Sequence, residues 1–197
     1  MVLLTGLIIV VVLVVVMLAV IVSYNGLVRA RNAYQTSFAQ IDVQLTRRHD
    51  LIPNLVETAK GYMAHERGTL EAVVNARAAA MQAQSTAGGT TDNVAAVGAL
   101  AGAENVLTQA LGKLFALAEA YPNLKANEQM LALQEELTTT ENRIAFARQA
   151  YNDAVMAYNN RRQVFPRNVI AGAANFGAAP LFEIDNPQER QAPQVSF

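Results

Sequence analysis

Residues that commonly do chemistry are few in this sequence, and none falls in a catalytic pattern. The 197 residues include two histidines and no cysteine, which excludes disulfides, thiolate metal sites and cysteine nucleophiles. His65 and Glu66 begin the zinc-binding pattern HExxH, but Thr69 takes the place of the second histidine. Neither His65 nor His49 has a glutamate three residues before it, as helical di-iron sites require. We therefore predict no enzyme activity, no cofactor and no metal site.

One group of polar residues coincides with two predicted helix breaks. Pro53 lacks an amide proton and disfavours helix at the residue before it, so the chain either turns fully or kinks here. Asn54 with Glu57 forms a capping-box pattern that would open a new helix. A second break follows at Tyr121 and Pro122. The polar residues near these breaks either cap two hairpin turns and join them by a salt bridge, or form a surface on which a partner docks. They are Arg47, Arg48, Asp50, Asn54, Glu119 and Tyr121.

A second polar group pairs tyrosine with asparagine. Its members are Tyr24, Asn25, Tyr151, Asn152, Tyr158 and Asn159. Buried amide side chains must find hydrogen-bond partners, because an unpaired polar group inside a protein is costly. We therefore predict that this group fixes the register of packed helices rather than binding a ligand.

The start of the chain is apolar over a length that could cross a membrane. Residues 2–22 carry no charge, and as a helix they would span about 31 Å, close to the hydrocarbon thickness of about 30 Å. The alternative is a cleaved signal peptide, which needs basic residues before the apolar run and an Ala-x-Ala-like site after it. The run lacks both features and ends at Val20-Ile21-Val22. We predict an uncleaved transmembrane helix.

Arginines beside this segment predict its orientation. Arg29 and Arg31 follow it closely, whereas no lysine or arginine precedes it. Positively charged residues tend to stay on the cytoplasmic side of a membrane. We therefore predict that the N-terminus lies outside and that the domain after the segment lies in the cytoplasm.

Four amphipathic segments follow the apolar one. They run from Ser23 to the break near Pro53, from Asn54 to a linker at 85–91, from the N-cap Asp92 to Tyr121, and from Glu128 to Phe165. The last has a strict apolar heptad interrupted only by Arg161. Short links between such helices predict an all-α fold, with an antiparallel up-and-down four-helix bundle over residues 24–165 after the transmembrane helix. Gly98 and Gly102 would let two helices pack closely, which we favour over local fraying.

This order of helices places each turn relative to the bilayer. The breaks near Pro53 and Tyr121 lie at the membrane-distal end, and the linker lies near the membrane. The arginines predicted at the level of lipid headgroups are Arg29, Arg31, Arg161, Arg162 and Arg167. The apolar tail at 166–184 is predicted to pack on the bundle or on the membrane, and residues 185–197 are predicted to be disordered.

Several ordered motifs resemble those of the LemA family. They cover residues 24 to about 183, and the longest is IDVQLTRRHDLIPNLV, from Ile41 to Val56. The others are Tyr24–Val28, Lys60–Tyr62 with His65-Glu66, Glu119–Lys125, Glu141–Ile144, Tyr151–Val155, Tyr158-Asn159 and Phe165-Pro166. The tail departs from the family pattern, because Asn175-Phe176-Gly177 replaces its Gly-Phe order.

The resemblance implies an N-terminally anchored bacterial protein, hence one of the inner membrane, with a helical bundle, no established catalysis and an association with membrane proteases. We expect a non-catalytic scaffold or adaptor that self-associates through its heptad faces, as coiled coils do, and organises a membrane patch or membrane-protein partners. The alternative is a regulatory or substrate-adaptor subunit of a membrane protease or transporter that docks through the distal end. The net charge of −1 argues against a nucleic-acid partner.

Overall fold

The computed structural model of the chain describes residues 1–183, so the predicted disorder of 185–197 lies outside the described residues. The described part contains helices and no strand, which confirms the prediction of an all-α fold. The helices are α1 (Val2–Lys60), α2 (Arg67–Gly88), α3 (Val94–Ala118), α4 (Pro122–Lys125), α5 (Glu128–Gln163) and α6 (Arg167–Ala173). The sequence did not predict the short helices α4 and α6.

Helix α1 joins the apolar N-terminal segment to the rest of the molecule without interruption. Residues 2–22 are exposed along their whole length, and they form a stretch long and apolar enough to cross a membrane. Burial begins at Ser23 and Leu27. Helix α3 passes the same test of length and apolarity, but 39% of its most apolar stretch is buried in the domain. The exposed part of α1 is therefore the stronger candidate for a membrane segment.

Helix α1 also runs through Pro53, so the predicted break there and the predicted helix start at Asn54 are wrong. Proline removes the amide that would bond the carbonyl four residues earlier. That carbonyl belongs to His49, and it accepts a hydrogen bond of 2.6 Å from Nε of Arg77 on α2. A donor on the neighbouring helix thus replaces the missing amide, and the chain turns only after Lys60.

Side-chain pairs show that the long helices alternate in direction. Tyr62, just beyond the end of α1, accepts a hydrogen bond of 3.2 Å from Asn127, just before α5. Tyr34 packs against Tyr158 near the end of α5, with ring centroids 5.1 Å apart. Helix α5 is therefore antiparallel to α1. The pairs Gln84–Asp42 and Arg77–His49 make α2 antiparallel to α1, and the pairs Asp92–Tyr34 and Thr108–Arg48 make α3 parallel to it.

Two helix boundaries differ slightly from the prediction. Helix α3 is capped by Asn93, whose side chain accepts from the amides of Ala95 and Ala96, because the predicted cap Asp92 bonds Arg31 and Tyr34 instead. Helix α5 begins as predicted at Glu128 but ends at Gln163. Phe165, predicted as a heptad core position, lies beyond that end and is 77% exposed.

The apolar core consists of two clusters that follow one another along the helices. The proximal cluster, nearer the apolar segment, is built around Leu27, Tyr34, Phe38, Leu100, Ile144 and Tyr151. The distal cluster is built around Ile52, Leu55, Met63, Leu107, Leu114 and Leu137. Gly98 and Gly102 face neither cluster, and a Cβ at either position would meet nothing within 4 Å. The predicted close packing at these glycines is wrong.

Candidate functional site: a charged layer and a tail groove

A buried charged layer separates the two clusters. Its centre is Arg48, which is fully buried and donates from Nη1 to Oε2 of Glu104 at 3.1 Å and from Nη2 to Oγ1 of Thr108 at 2.7 Å. Its Nε lies 3.0 Å from Oε1 of Glu141. The other carboxylate oxygen of Glu104 lies 2.9 Å from Nε2 of His49. Glu104 is thus shared by two side chains of α1, whereas Nε of Arg48 lies near Glu141 without forming a hydrogen bond.

The positions of these residues follow from helical spacing. On α1 the layer falls between Leu45 of the proximal cluster and Ile52 of the distal one. On α3, Glu104 falls between Ala101 and Leu107 in the same way. One turn of each helix carries charge where the turns before and after carry apolar side chains, so the charges meet at one height. The sequence placed Arg48 at a turn, either in a salt bridge between two hairpins or on a docking surface, whereas it lies within α1.

A second arginine extends the layer towards the tail. Burial lowers the pKa of Arg148 most, the positive charge of Arg48 lowers it further, and Glu104 and Glu141 partly offset both effects. The guanidinium of Arg148 lies over the ring of Phe182, 4.9 Å from its centroid. Two arginines and two glutamates therefore balance in charge. Nε of Arg148 is nevertheless buried without a hydrogen-bond partner. The described residues hold no group of three metal-ligating side chains.

The residues predicted to dock a partner divide between two places. Arg47 is exposed and pairs with Glu136, whereas its neighbour Arg48 has no exposed surface. Asp50 and Asn54 are exposed on α1. Since Lys60 ends α1, this group lies between about 9 Å (Asn54) and about 20 Å (Arg47) below the distal turn.

The rest of the predicted docking group is at the distal end itself. Tyr121 donates a hydrogen bond of 3.1 Å to Oε1 of Glu66, and Glu119 pairs with Lys125. The structure therefore does not bring the two halves of this group together, because the turn they were assigned to does not exist at Pro53. A docking role for the exposed members stays a prediction.

The arginines predicted near lipid headgroups do lie at one end of the domain. Arg31 pairs with Asp92 below the start of α3. The Nε of Arg167 is 3.7 Å from the point where a side chain at Gly26 would begin, and Arg162 lies on the last turn of α5 beside Arg161. Arg29 is exposed. Their contact with lipid stays a prediction.

The tail returns along α5, where tyrosine and asparagine side chains hold its backbone. We call residues 176–183 the tail segment. Tyr151 donates a hydrogen bond to the carbonyl of Pro180, and Tyr158 donates one to that of Gly177, both at 2.8 Å. The prediction that these pairs fix helix register was wrong for α5, because their partner is an extended segment. The signal was available in the sequence, since Tyr-Asn occurs twice on α5, seven residues apart.

Buried tyrosines give the proximal end its own electrostatic character. Burial raises the pKa of Tyr34, and its hydrogen bond to Asp92 raises it further. Burial also raises the pKa of Tyr151 and of Tyr158. The physical cause is that a phenolate in this apolar cluster would lose its hydration.

Two of the open grooves on the surface of the described residues lie between α1 and a neighbouring helix. The α1–α5 groove has a volume of about 710 Å³ and is lined by Val43, Gln44, Arg143 and Phe146 among others. The distal groove lies between α1 and α2, has a volume of about 600 Å³ and is lined by Val56, Lys60, Arg67, Leu70 and Val74 among others. Both combine exposed apolar side chains with charged ones at their margins.

Comparison with known proteins gives a consistent result. The model of the LemA family matches residues 37–197. Magnetosome protein MamQ 2 of Paramagnetospirillum magneticum is 26% identical over 175 residues, and magnetosome protein MamQ of Magnetospirillum gryphiswaldense is 25% identical over 174 residues. Each alignment covers 81% of this chain and 64% of the relative. The chain thus spans less than two thirds of the length of these curated relatives.

Proposed function

Because the chain belongs to the LemA family, we propose that it is a non-enzymatic scaffold, anchored in a membrane by residues 2–22. Its domain is an up-and-down four-helix bundle with heptad-patterned helices, and copies of it associate to organise a membrane patch or the membrane proteins within it. The apolar helix and the likeness to magnetosome proteins suggest membrane anchoring. We further propose the bacterial inner membrane, with the N-terminus outside and the bundle in the cytoplasm.

One observation carries this proposal, namely that the membrane segment and the first helix of the domain are the same helix. Helix α1 is 59 residues long, which corresponds to about 88 Å. A continuous helix transmits orientation, whereas a flexible linker would let the domain turn freely. If residues 2–22 are embedded, the bundle stands at a set angle to the bilayer, and neighbouring copies present the same faces at the same height.

The α1–α5 groove supports self-association. Val43 and Phe146 are 63% and 73% exposed there, and a large exposed apolar patch marks an interaction surface. Oε1 of Gln44, also in this groove, is buried without a hydrogen-bond partner. The occupant we propose is the same groove of a second copy, since a two-fold contact would pair the two Phe146 rings and give each Gln44 a partner.

The test is the oligomeric state of the full chain in lipid nanodiscs or vesicles, measured by native mass spectrometry or chemical crosslinking. We expect dimers or larger species whose fraction falls with Phe146→Ser. The matched control is Leu131→Ser, which removes another half-exposed apolar residue of α5 outside the groove and should leave the fraction unchanged. A wild-type chain that stays monomeric at high density in lipid would overturn the proposal.

The distal groove favours a second candidate, a regulatory or substrate-adaptor subunit of a membrane protease or transporter. Its apolar floor is bordered by charges of both signs, Lys60 and Arg67 with Glu57 and Glu71, and would receive an apolar segment with charged flanks. Affinity purification from native membranes should recover such a partner with the wild-type chain and lose it with the double variant Lys60→Glu/Arg67→Glu. Lys113→Glu, at an exposed position outside the groove, should retain it. Equal recovery from both variants contradicts the candidate.

A further inference from the structure

The two asparagines of the Tyr-Asn pairs bind the tail segment as a neighbouring β-strand would. Nδ2 of Asn159 donates to the carbonyl of Ala179 at 2.9 Å, and its Oδ1 accepts from the amide of the same residue at 3.0 Å. Asn152 makes the same two bonds with Phe182, at 3.2 Å and 2.8 Å. Each side-chain amide therefore satisfies both polar groups of one peptide residue, and no bond depends on the side chain that the peptide carries.

The spacing of these bonds forms a ladder. Seven residues of helix separate Asn152 from Asn159, a rise of about 10.5 Å. Three residues of extended chain separate Ala179 from Phe182, a rise of about 9–10 Å. Tyr151 and Tyr158 repeat this spacing. They are seven residues apart on α5, and the carbonyls they bond, those of Pro180 and Gly177, are three residues apart on the tail segment. A heptad helix face thus matches an extended peptide that runs antiparallel to it.

Side chains of the tail segment recur with the same period. Phe176, Ala179 and Phe182 are buried in the proximal cluster, one in every three residues. Leu181, between them, is 38% exposed and lies beside Gly98 and Gly102 of α3 in an open groove. The missing side chains of those two glycines leave room beside the tail. We call this site, formed by the Tyr-Asn pairs and the apolar positions under the segment, the Tyr-Asn face.

We propose that the Tyr-Asn face is a docking site for the tail segment of a second copy of this chain, so that neighbouring molecules exchange tails. This rests on the proposed self-association and names the segment that would mediate part of it. A second copy is the occupant because it carries the very segment that is seen to dock. Its membrane anchor also brings that segment to the same height above the bilayer.

Exchange preserves every contact described above, so the docked and exchanged forms differ mainly in the path of the connection and in the entropy of association. The connection lies at Ala174 and Asn175, where α6 ends and Asn175 adopts a φ of 57°. Asparagine tolerates this left-handed conformation and also an extended one, so the turn can open. Opening it breaks the hydrogen bond of 2.9 Å from the amide of Phe176 to the carbonyl of Ala171. Apart from that bond, the density of molecules in the membrane sets the exchanged fraction.

The experiment uses full chains with the photo-crosslinking residue p-benzoyl-phenylalanine in place of Leu181. Nitrogen-15-labelled and unlabelled chains are mixed in detergent, reconstituted into phosphatidylethanolamine–phosphatidylglycerol vesicles and illuminated. Crosslinked peptides joining residue 181 to α3 or α5 are then sorted by isotope. We expect mixed-isotope pairs that increase with protein density towards half of all such pairs. Same-isotope pairs alone at every density would overturn the proposal.

A pair of variants tests the role of the asparagines. Asn152→Ala/Asn159→Ala should reduce mixed-isotope crosslinks at residue 181 about tenfold, because four hydrogen bonds are lost. Asn142→Ala/Asn160→Ala removes two exposed amides from the same helix and should leave them unchanged. Circular dichroism should show equal helicity in both double variants. Wild-type crosslinking in a helical Asn152→Ala/Asn159→Ala chain would show that the Tyr-Asn face does not hold the exchanged segment.

Native mass spectrometry of the same vesicles separates this proposal from the scaffold proposal. Oligomers without mixed-isotope crosslinks would overturn tail exchange and leave self-association standing. Mixed-isotope crosslinks that persist in Phe146→Ser would support exchange independently of the α1–α5 groove. Monomers without mixed-isotope crosslinks at every density would overturn both.

Discussion

The half of the domain near the apolar N-terminal segment and the half far from it are built from different side chains. The proximal cluster contains the rings of Tyr34, Phe38, Tyr151 and Tyr158, together with two phenylalanines of the tail. The buried members of the distal cluster are leucine, isoleucine, valine, methionine and alanine, without an aromatic ring. Both halves use the same four long helices, so the difference lies in what else must be packed.

The distal half is held by general apolar packing, whereas the proximal half depends on specific contacts. Leucine and alanine fill the space between helices in many arrangements, and the distal half needs nothing beyond its own helices. In the proximal half, aromatic rings leave hydroxyl groups that need partners, and the tail supplies two of them. The proximal half is thus completed by a segment from the end of the chain, which makes it the half where one molecule can engage another.

The largest effect should come from disturbing the charged layer that joins the halves. Glu104→Gln keeps the shape of the side chain but removes a carboxylate from a buried Arg48. Loss of one partner in a buried ion pair costs about 3–5 kcal/mol, and because Glu141 still faces Arg48 we expect a loss near 3 kcal/mol. The measurement is urea unfolding of the full chain in detergent, followed by circular dichroism.

A matched control distinguishes burial from charge. Glu135 lies exposed on α5, and Glu135→Gln should change the free energy of unfolding by no more than about 0.5 kcal/mol. If the charged layer couples the two halves, the wild type should unfold in one transition. Two separate transitions in the wild type would show that the halves are independent units and that the layer only marks their border.

The sequence predicted features that depend on composition and periodicity. The apolar length of residues 2–22, the all-α fold and the start of α5 at Glu128 follow from local patterns, and the structure contains each of them. The position of the first turn depends on a distant residue, because Pro53 stays in a helix only when Arg77 bonds the carbonyl of His49. Arg77 is separated from His49 by 28 residues, and no local rule connects them.

The same limit explains the candidate sites. Arg48 and Glu104 are charged residues that hydropathy assigns to the surface, and only their meeting across two helices makes burial tolerable. Asn152 and Asn159 carry a visible heptad spacing, but a spacing on one helix does not say which segment lies against it. The partner was an extended tail with apolar residues three apart, a period that helix and strand patterns both overlook.

An intermediate effect should come from the bond that replaces the missing amide of Pro53. Arg77→Met retains much of the side chain but leaves the carbonyl of His49 without its donor. An unsatisfied buried polar group costs about 1–3 kcal/mol, so the free energy of unfolding should fall by that amount. Arg67→Met on the same helix, at its exposed start, should have little effect. A loss in the first variant no larger than in the second would mean that Pro53 is tolerated without a replacement donor.

The smallest effect should appear only at alkaline pH and only through the proximal half. Burial raises the pKa of Tyr151 above its usual value of 10.0, so above pH 10 the unfolded chain releases a proton that the folded chain retains. Stability from this residue is therefore complete below pH 10 and declines as the pH rises further. The decline is at most about 1.4 kcal/mol per pH unit for one tyrosine.

The free energy of unfolding of Tyr151→Phe should depend less steeply on pH above 10 than that of the wild type. Between pH 7 and 9 the two curves should run parallel. Identical slopes above pH 10 would mean that Tyr151 is hydrated in the folded protein, and the contrast between an aromatic, water-excluding proximal half and an aliphatic distal half would then be one of composition alone.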